Sequence, residues 1–180
     1  MKKLILSLLV AAFVGGNTLS AQTITKNEDG KYSLSVGHVT LTVDAQKGGK
    51  IVSYRYDDKE ILSQTKIPNS FGSTFWTSPQ SEWNWPPVPE YDTKPFNAEV
   101  AGDKLILTGE KSKRFGYRVR KELTTDKKDN AIVITYTIIN ESGETRKVAP
   151  WEISRVPNGG ILFFDAKEVT PANNMETMPF

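Results

Sequence analysis

Most of the chain alternates apolar and polar residues with a period of two, which is typical of β-strands that bury one face. Residues 39–43 alternate valine or leucine with threonine, and residues 115–123 alternate large apolar residues with charged ones. Residues 131–140 place isoleucines and a tyrosine on one face, with smaller residues between them. Further strands are predicted at 31–36, 50–57, 59–63, 98–101, 104–109, 146–156 and 161–165.

Residues that favour tight turns separate these segments. Asp29-Gly30, Lys47-Gly48-Gly49 and the Asp126–Asn130 stretch all suit tight or left-handed turns. No segment shows helical periodicity over a window long enough to indicate a helix. About ten short strands without helices predict an all-β chain, folded as an antiparallel β-sandwich or a barrel.

Residues 64–97 interrupt this pattern and are predicted to form one long aromatic loop. The segment holds six prolines and seven aromatic residues, and it includes the sequence SEWNWPPVPEYD at positions 81–92. Disordered chains are poor in aromatic residues, so this loop is predicted to be ordered and to pack its rings. Loops of this length in a compact domain are usually functional.

Three interpretations of the aromatic loop remain open: a small core that closes one end of the sandwich, a ligand-binding surface, or a protein-docking surface. Carbohydrate suits the second, because indole rings stack on the weakly apolar faces of sugars while carboxylates and amides bind the hydroxyl groups. Polar residues are interleaved with the rings at Glu82, Asn84, Glu90 and Asp92, and the candidate binding residues of this loop are Trp76, Glu82, Trp83, Trp85 and Tyr91.

A second candidate is the sequence VAPWEISRV at positions 148–156. Pro150 within a strand pattern indicates an edge, a bulge or the start of a strand. In a regular strand Trp151 and Arg155 share one face and Glu152 points to the other, so Glu152 and Arg155 meet only if a bulge shifts the register. Trp151, Glu152 and Arg155 are candidate binding residues; the alternative is an ordinary strand with a surface ion pair.

The N-terminus is predicted to be a secretory signal peptide over residues 1–21. Two lysines precede an apolar run, and small residues stand before Gln22. The apolar run is too short for a membrane span. Residues 22–180 then form one β-sandwich domain in a periplasmic or secreted protein. No second long apolar run follows, so no membrane span is expected.

Charge and composition limit the partners. Loss of two lysines with the signal peptide reduces the 23 basic residues to 21, equal to the 21 acidic ones. A neutral chain without a basic cluster argues against nucleic acid as a partner. The chain has no cysteine and one histidine, which disfavours a metal site, and no cofactor is expected.

Several motifs resemble galactose mutarotase-like (aldose 1-epimerase-like) proteins. Residues 48–54, followed by 57–62, resemble the opening hairpins of that superfamily, and residues 132–140 and 151–156 resemble its central strand and the next one. SPQSEWNWPPVPEYD and APWEISRV are most similar to an exported branch of the superfamily, the DUF4380 type. The resemblance covers roughly residues 30–165.

The resemblance implies a large antiparallel β-sandwich that binds a sugar on a concave sheet face. Epimerases of the superfamily use a His acid and a Glu base, but this chain has no His in the strand of Trp151 and Arg155. The resemblance also implies a C-terminal half that carries the base, which this chain is expected to lack. The chain is therefore expected to be a C-terminally truncated member, and mutarotase activity is disfavoured.

These observations predict an exported carbohydrate-binding protein, with a sugar on the concave face and the aromatic loop over it. One alternative is a sugar epimerase, or a glycoside-active enzyme or accessory domain, that uses Glu152 and a second carboxylate such as Glu82. Another is a protein-docking module. If the sandwich is incomplete, its open edges could pair with a second chain.

Overall fold

The computed structural model describes residues 24–65, 67 and 70–159. The predicted signal peptide at 1–21 and the predicted strand at 161–165 lie outside the described residues. Between them the chain forms strands β1 (Ile24–Lys26), β2 (Tyr32–Val36), β3 (Val39–Asp44), β4 (Lys50–Tyr56), β5 (Lys59–Glu60), β6 (Ser73–Ser78), β7 (Asn97–Ala101), β8 (Lys104–Thr108), β9 (Tyr117–Asp126), β10 (Ala131–Asn140) and β11 (Ala149–Ser154), a 3-10 turn (Gln80–Glu82) and a short helix α1 (Pro89–Asp92).

The strands form two antiparallel sheets. Sheet A has the order β1-β2-β3-β4-β6-β11, with β5 paired to β4, and sheet B has the order β10-β9-β8-β7. This arrangement confirms the predicted all-β sandwich. Within the described part of the chain, β11 ends sheet A and β10 ends sheet B.

The core lies between the sheets and is built from the alternating apolar positions. The ring of Phe75 on β6 stacks on the ring of Tyr136 on β10, with centroids 4.8 Å apart. This contact shows which face of β6 is turned toward sheet B. Other buried residues on these strands include Leu34, Leu41, Val43, Leu105, Leu107, Tyr117, Val119 and Leu123.

The structure corrects the prediction of one uninterrupted loop over residues 64–97. β6 lies inside that range, pairs with β11 over six residues and contacts β4 at Ile51↔Ser73. Residues 73–77 are all buried. A strand covered on both faces needs no polar positions on one side, so its sequence shows no alternation. β1 was also not predicted, because three residues are too few to show a period.

The rest of the aromatic loop, residues 79–96, closes one end of the sandwich. Phe96 N donates to the Ala45 carbonyl at 2.7 Å, and Gly48 N donates to the Lys94 carbonyl at 2.8 Å. Gly48 has a φ of +62°, and a Cβ there would lie 2.4 Å from the Asp92 carbonyl oxygen, so only glycine fits. In the part of the chain that is described, no helix is long and apolar enough to cross a membrane.

Candidate functional site

Trp76 lies at the centre of a cluster of four tryptophans. Its ring meets the rings of Trp83, Trp85 and Trp151 edge-on, with centroid separations of 5.7, 5.9 and 5.6 Å. Sheet pairing places Trp76 on β6 directly opposite Trp151 on β11, on the face turned away from Phe75. Edge-to-face contacts set the positive rim of one ring against the negative face of another, which stabilises the cluster.

The rings differ in their access to solvent. Trp85 is 69% exposed and Trp151 is half-buried, so both present indole surface. Trp76 is 8% exposed and forms the floor between them. Trp83 and Tyr91 are 3% and 1% exposed. These two rings belong to the core and are not accessible to a ligand in this arrangement.

Polar groups border the exposed rings. Trp76 Nε1 donates to Asp92 Oδ1 at 2.9 Å, which fixes the carboxylate beside the indole. Arg155 Nη1 donates to Thr74 Oγ1 at 2.9 Å, and the guanidinium lies 6.0 Å from the Trp76 ring centroid. We call this group the aromatic platform: Trp76, Trp85, Asp92, Trp151 and Arg155.

Two cations and one carboxylate share the polar border of the platform. Lys50 at the start of β4 holds its ammonium 4.2 Å from the ring centroid of Phe71. Burial lowers the pKa of Lys50, the charge of Arg155 lowers it further, and Asp92 opposes both. Burial also lowers the pKa of Arg155, against the attraction of Asp92. This border offers donors and an acceptor that suit hydroxyl groups.

Glu152 lies on the other face of β11, among hydroxyl groups. Ser73 donates a hydrogen bond to Glu152 Oε1, and the Ser73 and Ser154 hydroxyls are 2.8 Å apart. Surrounding protein raises the pKa of Glu152, while Ser73, the charge of Lys121 and the Tyr136 hydroxyl oppose the rise. Within the described residues β11 ends sheet A and Glu152 is exposed, so solvent reaches the side chain and limits that rise.

The register of β11 separates the predicted site residues onto two faces. The pairing with β6 continues without a bulge, with Trp151 opposite Trp76 and Glu152 opposite Phe75. Because β11 has no bulge, Glu152 and Arg155 lie on opposite faces of the strand and do not meet at one site. Trp151 and Arg155 do share a face, as the strand pattern predicted.

Glu82 lies apart from both groups. It ends the 3-10 turn, and its carbonyl accepts a hydrogen bond from Arg114 Nη2 at 3.0 Å. Burial raises the pKa of Tyr117, and the Glu82 carboxylate raises it further. The residues around Glu82 are thus different from those around Glu152.

The candidate binding residues predicted from the sequence did not include Asp92 of the platform or its neighbours Thr74 and Lys50. Asp92 stands among the interleaved polar residues, and that position was the only signal for it. Thr74 lies within β6, which the pattern did not reveal. Lys50 follows the Gly48-Gly49 turn, and nothing in its sequence context marks it as a site residue.

Across the residues that the structure describes, no group of three or more His, Asp or Glu side chains is placed to hold a metal ion. The side chains of the platform can stack on a ligand, form hydrogen bonds with it and attract its charges. The cluster around Glu152 adds groups that can hold and release protons.

Comparisons with known proteins add little to this geometry. No family model and no curated protein matches the chain. Among solved structures it is similar to 4-alpha-glucanotransferase from Thermococcus litoralis, with 15% identity, a TM-score of 0.40, and coverage of 63% of this chain and 23% of that one. So low a TM-score supports no conclusion about fold or function. The class defined here is an antiparallel β-sandwich with a tryptophan-rich surface, and the resemblance to mutarotase-like proteins stays a prediction.

Proposed function

We propose that this chain binds a carbohydrate on the aromatic platform. The observation that carries the proposal is the exposure of Trp85 and Trp151 beside Arg155 and Asp92. Large exposed aromatic rings bordered by polar groups mark binding surfaces. A sugar presents C–H faces to indole rings and hydroxyl groups to charged side chains, so both halves of the platform have a partner on one ligand.

The full proposal is an exported, mutarotase-like carbohydrate-binding protein that works in the periplasm or outside the cell. The N-terminal pattern of basic, apolar and small residues supports export. The motifs at 48–62 and 148–156 support the mutarotase-like sandwich. In this proposal the sugar lies on a concave sheet face, with part of residues 79–96 arching over it.

Calorimetric titration of the purified chain with neutral mono- and oligosaccharides tests the proposal. We expect at least one sugar to bind, and the separate substitutions Trp85→Ala and Trp151→Ala to weaken it about tenfold each, since each removes a stacking ring. Tyr56→Ala is the matched control, because Tyr56 is also exposed (54%) but stacks on His38, away from the platform. Absence of any binding, or equal affinity in both tryptophan variants and the wild type, would contradict the proposal.

The surroundings of Glu152 favour one alternative, a sugar-active enzyme. A carboxylate with a raised pKa, a tyrosine hydroxyl and a lysine charge are the components of proton-transfer chemistry. Polarimetric measurement of anomer interconversion against pH separates the two functions. A rate increase that Glu152→Gln abolishes would favour the enzyme, whereas sugar binding without a rate increase favours the binding protein.

A further inference from the structure

A groove of about 380 Å³ lies between the loop at 111–116 and the loop at 141–146. Its volume falls within the range of small-molecule sites. Its lining residues, all in the described part of the chain, include none of the aromatic platform. The groove is therefore a separate candidate site that the proposed carbohydrate function does not use.

The groove concentrates positive charge. The formal net charge of the whole chain is only +2, whereas the groove is lined by four basic residues against two acidic ones. The basic residues come from both loops, so they face one volume from two sides. They are Lys111, Lys113, Arg114 and Arg146, and the acidic residues are Glu141 and Glu144.

Both glutamates are already neutralised by arginines. Glu141 accepts hydrogen bonds from Arg118 Nε at 3.1 Å and Nη2 at 3.4 Å. Glu144 pairs with Arg146 at 2.9 Å. Lys111 and Lys113 are exposed and form no ion pair with any residue that the structure describes, although the charge of Lys111 lowers the pKa of Glu141 and that of Lys113 lowers the pKa of Glu110. Because these two carboxylates also pair with Arg118 and Lys94, the groove keeps an excess of positive charge that an anion could satisfy.

The two loops are held together before any ligand arrives. Gly116 has a φ of +70°, and a Cβ there would lie 2.6 Å from Ser142 Cα, so the backbones are in close contact. Glu141 N donates to the Gly116 carbonyl at 2.8 Å. Asn140 Nδ2 donates to the Glu144 carbonyl at 2.7 Å. A preformed groove spares a ligand the entropic cost of ordering its walls.

The cations include one with a fixed orientation. Arg114 donates to the Glu82 carbonyl at 3.0 Å, and its guanidinium lies 4.9 Å from the Phe115 ring centroid. The remaining N–H groups of a guanidinium held in this way can bind a planar carboxylate or a tetrahedral sulfate. The two lysines add charges that are exposed to solvent.

We propose that this groove binds an oxyanion, either a carboxylate or a sulfate group, carried by a small molecule. The preformed walls, the fixed guanidinium and the two lysines without ion-pair partners together select for negative charge. The site differs from the aromatic platform in position and in ligand chemistry. Its test is therefore independent of whether the platform binds a neutral sugar.

Calorimetric titration at low ionic strength with sodium sulfate, sodium glucuronate and neutral glucose tests the proposal. We expect sulfate or glucuronate, but not glucose, to bind in the groove, more weakly as salt is added. The double substitution K111Q/K113Q should weaken binding about tenfold or more, as expected for lost charge-assisted hydrogen bonds. The matched control K127Q/K128Q makes the same charge change at two exposed lysines in the β9–β10 turn and should bind like the wild type.

Tighter binding of glucuronate than sulfate would assign the ligand as an acidic sugar, and the reverse order would assign a sulfate-like group; both support the groove. If neither sulfate nor glucuronate binds, the proposal is wrong. Equal weakening in the two double variants would also contradict it, because it would show attraction by overall charge alone. Trp85→Ala should leave anion binding unchanged, which keeps this result separate from the fate of the proposed carbohydrate function.

Discussion

Lys121 carries an ammonium group enclosed between the two sheets, with only 3% of the residue exposed. Its Nζ donates to the carbonyls of Gly48 and Gly49, both at 2.9 Å, and three aromatic ring centroids lie 5.4 to 5.9 Å away. Burial lowers the pKa of Lys121 from its ordinary 10.5 to about 8, against the attraction of Glu152 and Asp92. The lysine thus anchors the glycine turn but makes stability depend on pH.

The sign of that dependence follows from proton binding. Between pH 8 and 10.5 the unfolded chain holds a proton on Lys121 that the folded chain has lost, so the free energy of unfolding rises with pH. Over the whole window this rise amounts to roughly 3 kcal/mol. Lys121→Met removes the titrating group. We expect the free energy of unfolding of the wild type, minus that of the variant, to increase with pH across the window.

Urea denaturation at a series of pH values from 8 to 10 measures this difference. The test compares how steeply the free energy of unfolding changes with pH in the two proteins. Their absolute stabilities also differ, because the variant loses two hydrogen bonds to carbonyl groups. The same substitution at the exposed Lys128 is the control and should leave the slope unchanged. Parallel curves for wild type and Lys121→Met would mean that the carbonyls and rings keep the ammonium charged.

At the level of elements, β6 and β11 build the aromatic platform, and only β11 could be predicted. Strands with one exposed face, such as β3 and β10, show an alternating pattern, whereas β6 is covered on both faces and lies among prolines. Trp151 and Arg155 share a face because they are four residues apart and side chains alternate between the two faces of a strand. The pairing of Trp151 with Trp76 depends on the register between strands far apart in the chain, which no local pattern encodes.

The burial of each tryptophan was equally beyond prediction, because it depends on how residues 79–96 fold back over β6. That folding divides the aromatic loop into a part that belongs to the core and a part that is exposed. Trp83 Nε1 donates to the Thr77 carbonyl at 2.9 Å inside the core, while Trp85, two residues later, is open to solvent. The interpretation of the loop as a small core thus applies to Trp83, whereas the exposed Trp85 has the solvent access that a surface for a ligand requires.

This division predicts that the same substitution has a large effect on stability at Trp83 and a small one at Trp85. Trp83→Ala should lower the free energy of unfolding by about 3–5 kcal/mol, because it removes a buried ring and leaves a cavity. Trp85→Ala should lower it by less than about 1 kcal/mol, as for most exposed positions. Urea denaturation of both variants measures the two losses. Similar losses would contradict the placement of one indole inside and the other outside.

At the scale of the whole molecule, β11 and β10 end sheets A and B within the described residues, and Glu152 on β11 lies beside Tyr136 on β10. β10 is ten residues long and is paired only with β9 within the described part of the chain. The residues on its inner face, Ile134, Tyr136 and Ile138, are only half-buried although they face the core. A long edge strand with incompletely covered apolar residues is a template for pairing with another chain.

We therefore expect the chain to self-associate through β10. The apparent mass in analytical ultracentrifugation should rise with protein concentration, and Val133→Lys should suppress that rise by placing a charge at the β10 edge, where Val133 is 45% exposed. Val100→Lys makes the same change at an exposed position on β7, at the other edge of sheet B, and should leave self-association intact. A monomeric wild type at all concentrations, or equal suppression by both substitutions, would contradict pairing through β10.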